Sequence, residues 1–159
     1  MEDKLTADIA HADDTIKWAK EVLDKNEKGL SRMEITTKNA LKEFDQAIKL
    51  AKEYLNVCKD DVYVLLQLGF AYKQIGDYEN AINICDYVLS IDSYNPVARL
   101  DLFDIYMETE QYDVAAPIID EIFTSPMYET ILKENRAKYE EARETINKYL
   151  EAQKLKINA

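Results

Sequence analysis

The chain has 159 residues, with 20 Lys and Arg against 31 Asp and Glu, a formal net charge of −11. That length suits one ordinary domain with a sizeable core, and three glycines and three prolines are too few for a β-rich or disordered chain. The acidic balance excludes a nucleic-acid or anionic-membrane surface as a leading function, and no apolar run approaches the roughly 20 residues that span a bilayer.

From the amino end, Leu5, Ile9, Ala12, Ile16, Ala19 and Leu23 share one stripe, which predicts a helix over 4–27. The opening MEDKLTADIAHADD lacks the basic-then-apolar layout of a signal peptide. Trp18 sits beside the stripe and is expected to pack against the next unit. His11, among Asp8, Asp13 and Asp14, reads as a surface histidine, because a metal site needs several convergent ligands. Cys58 and Cys85 belong to no motif and read as buried, reduced thiols. Together these features predict a cytoplasmic compartment.

Gly29 is expected to end the first helix, and Ser31-Arg32-Met33-Glu34 has the S-x-x-E form of a capping box for a new one. From Leu30 to Val57 the apolar spacing never breaks, so a glycine-free turn at 41–44 competes with a single long helix; the turn is preferred. Val62 to Tyr94 divides into two amphipathic helices around Ile75-Gly76-Asp77, where Gly76 supplies the positive φ of a short helix end. Asp60 and Asp61 precede the pair as caps. Pro96 suits the first turn of a helix over 97–109. A helix over 113–124 follows, in which Pro117 predicts a local distortion rather than a break. After Ser125-Pro126, residues 128–155 read as one long helix, either a terminal cap or, as the minority reading, a coiled-coil partner.

Shifting the central pair forward by 34 residues carries Leu68 onto Leu102, Tyr72 onto Tyr106, Tyr78 onto Tyr112 and Ala81 onto Ala115. Shifting back carries Tyr78 onto Phe44, Ala81 onto Ala47 and Leu89 onto Leu55. In these residues the chain resembles the tetratricopeptide repeat family, whose 34-residue pattern runs W-x2-L-G-x2-Y, A-x3-F, P. The unit 62–95 fits best, with Leu68-Gly69, Tyr72, Gly76, Tyr78 and Ala81; it departs at Leu65, Cys85 and Ser93. The unit 96–129 has Phe103 where a small residue belongs. The unit 28–61 keeps only Phe44 and Ala47, with Glu34, Ile35 and Lys38 in place of Leu, Gly and Tyr.

The resemblance implies an all-α superhelix of about three helical hairpins with extra N- and C-terminal helices, in one helical-repeat domain over 1–159: a helix at 4–27, repeats at 28–61, 62–95 and 96–129, and a capping helix at 130–155. It also implies a groove, lined by the first helix of each hairpin, that receives a peptide or helix of a partner. By position the groove residues are Tyr63, Leu66, Phe70, Lys73, Asp101, Asp104 and Glu108. Between Gln74 and Thr130 one basic residue, Arg99, stands against twelve acidic ones. The expected partner is therefore another protein that presents an apolar segment with basic character, and Asp101 and Asp104 are expected to face it. No phosphate loop, Cys-x-x-Cys or nucleophile elbow occurs, so the sequence predicts no catalysis and no cofactor. The function expected is an adaptor or small chaperone, monomeric or homodimeric. The alternative is a self-associating scaffold whose groove is filled by its own terminal helix or by a second copy.

Overall fold

The computed structural model describes the backbone of residues 2–157 and the side chains of residues 17, 20, 21 and 24–157. The Leu5–Leu23 stripe, Trp18 and His11 therefore lie outside the described side chains. Seven α-helices follow one another: α1 (Glu2–Ala40), α2 (Phe44–Leu55), α3 (Val62–Gln74), α4 (Tyr78–Ile91), α5 (Pro96–Glu108), α6 (Tyr112–Thr124) and α7 (Glu129–Ile157). A 3-10 turn, Pro126–Tyr128, precedes α7, and no strand occurs among the described residues. Each helix packs on its neighbours in the chain, and α3 also touches α1 and α5.

The 34-residue register governs where helices begin. α2, α4 and α6 start at 44, 78 and 112, while α3 and α5 start at 62 and 96. It also governs burial: Ala47, Ala81 and Ala115 are fully buried, as are Ala51, Cys85 and Ile119 one turn later. Such positions tolerate nothing larger, because the next hairpin packs directly on them. Leu68, Leu102 and Tyr72 are buried as predicted, whereas Tyr106 is only half-buried. The close approach falls at Gly69, where an added Cβ would lie 3.2 Å from Ile84 Cγ2. Its successor Phe103 is fully buried and lies against Tyr139 of α7, ring centroids 6.0 Å apart.

The turns inside the three hairpins repeat as well. Lys42, Gly76 and Glu110 are left-handed, with φ of 60°, 77° and 56°, and they stand 34 residues apart. Each is followed by a backbone N–H reaching back to close the helix end: Glu43 to Lys38, Asp77 to Tyr72 and Gln111 to Tyr106. This is the Schellman closure, which favours glycine at the left-handed position. The first unit is thus a hairpin with a glycine-free turn, and the single-helix alternative for 30–57 falls.

Three sequence expectations are corrected. Gly29 does not end a helix, because α1 runs unbroken from Glu2 to Ala40, so the boundary between a helix at 4–27 and a repeat at 28–61 lies within one element. A lone glycine costs a helix only about 1 kcal/mol, less than α1 recovers by packing its last turns on α2 and α3. Ser31 does not cap: its hydroxyl donates to the Glu27 carbonyl, as mid-helix serines do. Of the two aspartates before α3, only Asp61 caps, accepting from the Val64 N–H; Asp60 accepts from Tyr87 Oη at 2.5 Å. α6 continues through Pro117. α7 bends at Asn135, whose φ of −125° and ψ of 25° leave the helical region.

Candidate functional site

The face built by α1, α3 and α5 carries two neighbouring depressions of opposite character. The first, a cavity of 490 Å³, is lined by Tyr63, Leu66 and Phe70 of α3, by Val97 of α5 and by Thr36, Asn39 and Ala40 of α1. Tyr63, Phe70 and Val97 are exposed. Tyr63 is fixed by a 2.6 Å hydrogen bond between its hydroxyl and that of Thr36, and Phe70 by an edge-on contact with Phe44. Asn39 is buried; its amide nitrogen donates to the Gln67 carbonyl and to Gln67 Oε1, each at 3.0 Å. Its Oδ1 has no hydrogen-bond partner. A buried acceptor without a donor is costly, so this rim holds an unmet demand for one N–H or O–H.

The second depression, 560 Å³, lies between α3, α5 and α7, and its charged lining is Lys73, Asp104, Glu108, Lys138 and Glu141. Here the charges answer one another. Lys73 hydrogen-bonds Asp101 and reaches Asp104 at 3.4 Å, while Lys138 of α7 meets Asp104 at 3.0 Å. Burial alone would lower the Lys73 pKa, but the Asp101 hydrogen bond and the two carboxylate charges outweigh it and hold it above the ordinary value. Burial, with the Asp104 charge, raises the Asp101 carboxyl against the pull of Lys73.

The structure therefore brings Tyr63, Leu66 and Phe70 together in the first depression and Lys73, Asp104 and Glu108 in the second, with Asp101 at the border of the first. It also alters the reading of Asp101 as a free carboxylate: Asp101 is 9% exposed and already paired. Thr36, Asn39, Ala40 and Val97 complete the apolar depression. Val97 was visible as a first-helix position, whereas the contribution of α1 depends on α1 being continuous.

Arg32, at the corresponding stripe of α1, turns away from the face. It holds Asp61 at 2.8 and 2.5 Å, and Tyr54 donates to the same carboxylate at 2.7 Å. Burial would raise the Asp61 pKa, but Tyr54, Arg32 and the Val64 N–H together bring it below the usual carboxylate value. Cys85 is buried, and burial pushes its thiol up to about 12, which fits an inert core cysteine. No cluster of potential metal ligands and no helix long and apolar enough to cross a membrane occurs among the described residues.

Residues 74–123 match the family model for the tetratricopeptide repeat. This chain carries tetratricopeptide repeats. No curated protein matches it. Among solved structures it is similar to MamA AMB-1 in a P212121 crystal form, with a TM-score of 0.55 and 21% identity over 73% of this chain and 67% of that one. It is likewise similar to a mutant of MamA, with a TM-score of 0.56 and 22% identity over 75% and 73%. At these identities the likeness concerns the fold alone. A tetratricopeptide fold of this kind supports a protein-interaction or scaffold module.

Proposed function

We propose that this chain binds, as an adaptor or small chaperone, a segment of another protein whose apolar side chains enter the Tyr63–Leu66–Phe70–Val97 depression. The observation that supports it is that depression itself: exposed aromatic and aliphatic carbon, held rigid by Thr36 and Phe44, beside the unpartnered Oδ1 of Asn39. Rigid, desolvated apolar pockets are where binding energy concentrates, and a backbone N–H of the bound segment would meet the Asn39 acceptor. Beyond it, three carboxylates (Asp104, Glu108, Glu141) face two ammonium groups (Lys73, Lys138). That excess favours a basic residue following the apolar ones, opposite Glu108 and Glu141. The pairing of Asp101 with Lys73 removes it from this role.

The scaffold alternative, a groove filled by the chain's own terminal helix, has less support. α7 residues line the second depression and none lines the first.

A random twelve-residue peptide library displayed against the full chain tests the proposal. Selected peptides should carry aromatic or aliphatic residues followed by Lys or Arg. Phe70→Ala should weaken them by about thirtyfold or more, the 2 kcal/mol of a hot spot. Selected peptides that bind Phe70→Ala as tightly as the parent would place binding elsewhere.

A further inference from the structure

The repeat register uses only residues 28–40 of α1, yet the helix begins at Glu2 and has 39 residues, about 58 Å at 1.5 Å per residue. Along it Ile9, Ile16, Leu23 and Leu30 recur at intervals of seven. Leu5, Ala12, Ala19, Asn26 and Met33 recur at the same interval, four residues before or three after the first series. These are the a and d positions of a coiled coil sustained over four heptads. Where side chains are described, the seam points away from the repeat stack. Leu30 and Met33 are 66% and 67% exposed, whereas Ile35 and Asn39, on the other side of α1, are buried against the repeats.

A seam of this length needs a helix of similar length to cover it. α2 to α6 have 12 to 14 residues, and α7 is engaged with α6 at the far end of the stack. The partner is therefore another molecule, and a second copy supplies an identical seam. Charge selects the orientation. Residues 2–16 hold five acidic side chains and one basic, Lys4. Residues 17–38 hold six basic (Lys17, Lys20, Lys25, Lys28, Arg32 and Lys38) and four acidic. Antiparallel pairing sets the acidic part of each helix against the basic part of the other, whereas parallel pairing sets acid against acid. Alanine at two d positions permits a close approach of the two backbones.

We infer that α1 pairs with α1 of a second copy in an antiparallel coiled coil, which carries one repeat stack at each end and leaves both Tyr63–Phe70 faces free. Sedimentation equilibrium of the full chain should return twice the 18.4 kDa chain mass. Leu30→Lys with Met33→Lys, on exposed positions, should raise the dimer dissociation constant at least tenfold while the far-ultraviolet circular dichroism of the repeats is kept. A chain that stays monomeric at about 100 μM, or a dimer that the lysine pair leaves unmoved, overturns the inference. Orientation is read by pulsed electron resonance between spin labels on Ala7→Cys, in a Cys58→Ser background. Antiparallel helices overlapping about residue 19 hold the two labels roughly 35 Å apart at 1.5 Å per residue. A separation within about 20 Å, as for helices packed side by side 8–10 Å apart, would show a parallel pair and overturn the antiparallel assignment.

Discussion

Thr36, Phe70, Asp104 and Lys138 occupy one register position in four successive helices, 34 residues apart, and they divide the groove face in two. At one end Phe70 stands over a floor of Tyr63, Leu66 and Val97 with carbon exposed and nothing to satisfy it. At the other, Asp104 lies between Lys73 and Lys138, and the face is closed by its own charges. The same backbone position thus supplies a binding surface in one repeat and an internal tie in the next. In a repeat protein, equivalence of position predicts which way a side chain points and says little about whether it is free to meet a partner.

The comparison breaks most visibly at the Lys73–Asp101 pair, whose side chains are 15% and 12% exposed. Asp101→Ala should leave a buried ammonium with only a distant partner and cost about 3–5 kcal/mol, read as a lower urea midpoint. Lys73→Met with Asp101→Leu should restore most of that loss, since apolar replacement of a buried pair is often neutral. Had Asp101 been the free carboxylate that its position suggests, the single change would be nearly silent.

A smaller effect comes from removing charge at the second depression. Glu108→Ala with Glu141→Ala should weaken a selected peptide by no more than about 1 kcal/mol, mostly as a slower association that salt abolishes. A loss as large as that from Phe70→Ala would mean that charge, not burial, carries recognition.

Two aspartates give the comparison a pH signature of opposite sign. The folded pKa of Asp61 is lowered, so its stabilisation is full above the unfolded value near 4 and is lost as the pH falls further. That of Asp101 is raised, so its contribution is greatest below the unfolded value and is lost as the pH rises through the folded one. Between about pH 5 and 3, Asp61→Asn should flatten the acid loss of stability and Asp101→Asn should steepen it, as followed by denaturation at each pH. Parallel behaviour of the two variants would show that burial does not distinguish them.

The smallest expected effect lies in the turns. Lys42→Gly or Glu110→Gly should relieve a left-handed residue costing about 1–2 kcal/mol, less the extra entropy glycine gives the unfolded chain. The net gain is about 0.5–1 kcal/mol, seen as a higher urea midpoint, and Gly76→Ala should lose stability in the opposite sense.

These turns also show how far the fold could be read from sequence. The hairpins were legible because close contacts admit only small residues, and Ala47, Ala81 and Ala115 mark them in register. The turn at Lys42 was harder to see, since the Schellman closure of one helix end can force a lysine into a conformation that sequence associates with glycine. Gly29 misled for the converse reason: a single glycine does not outweigh the packing on either side of it. Of the candidate site, Tyr63, Leu66 and Phe70 were visible as a second apolar stripe on one helix. The pairing of Lys73 with Asp101 was not, because it joins different register positions of successive repeats and depends on how closely two helices approach. The unpartnered Asn39 acceptor was equally hidden, since Gln67 takes up the amide nitrogen and leaves only the oxygen.

The claim that the apolar depression is the recognition surface is tested most directly by methyl nuclear magnetic resonance of the full chain titrated with a selected peptide. The methyls of Leu66 and Val97 should shift first and saturate with the binding isotherm, while those of Val114, exposed on α6, stay still. A titration in which Val114 moves and Leu66 and Val97 do not would contradict the account.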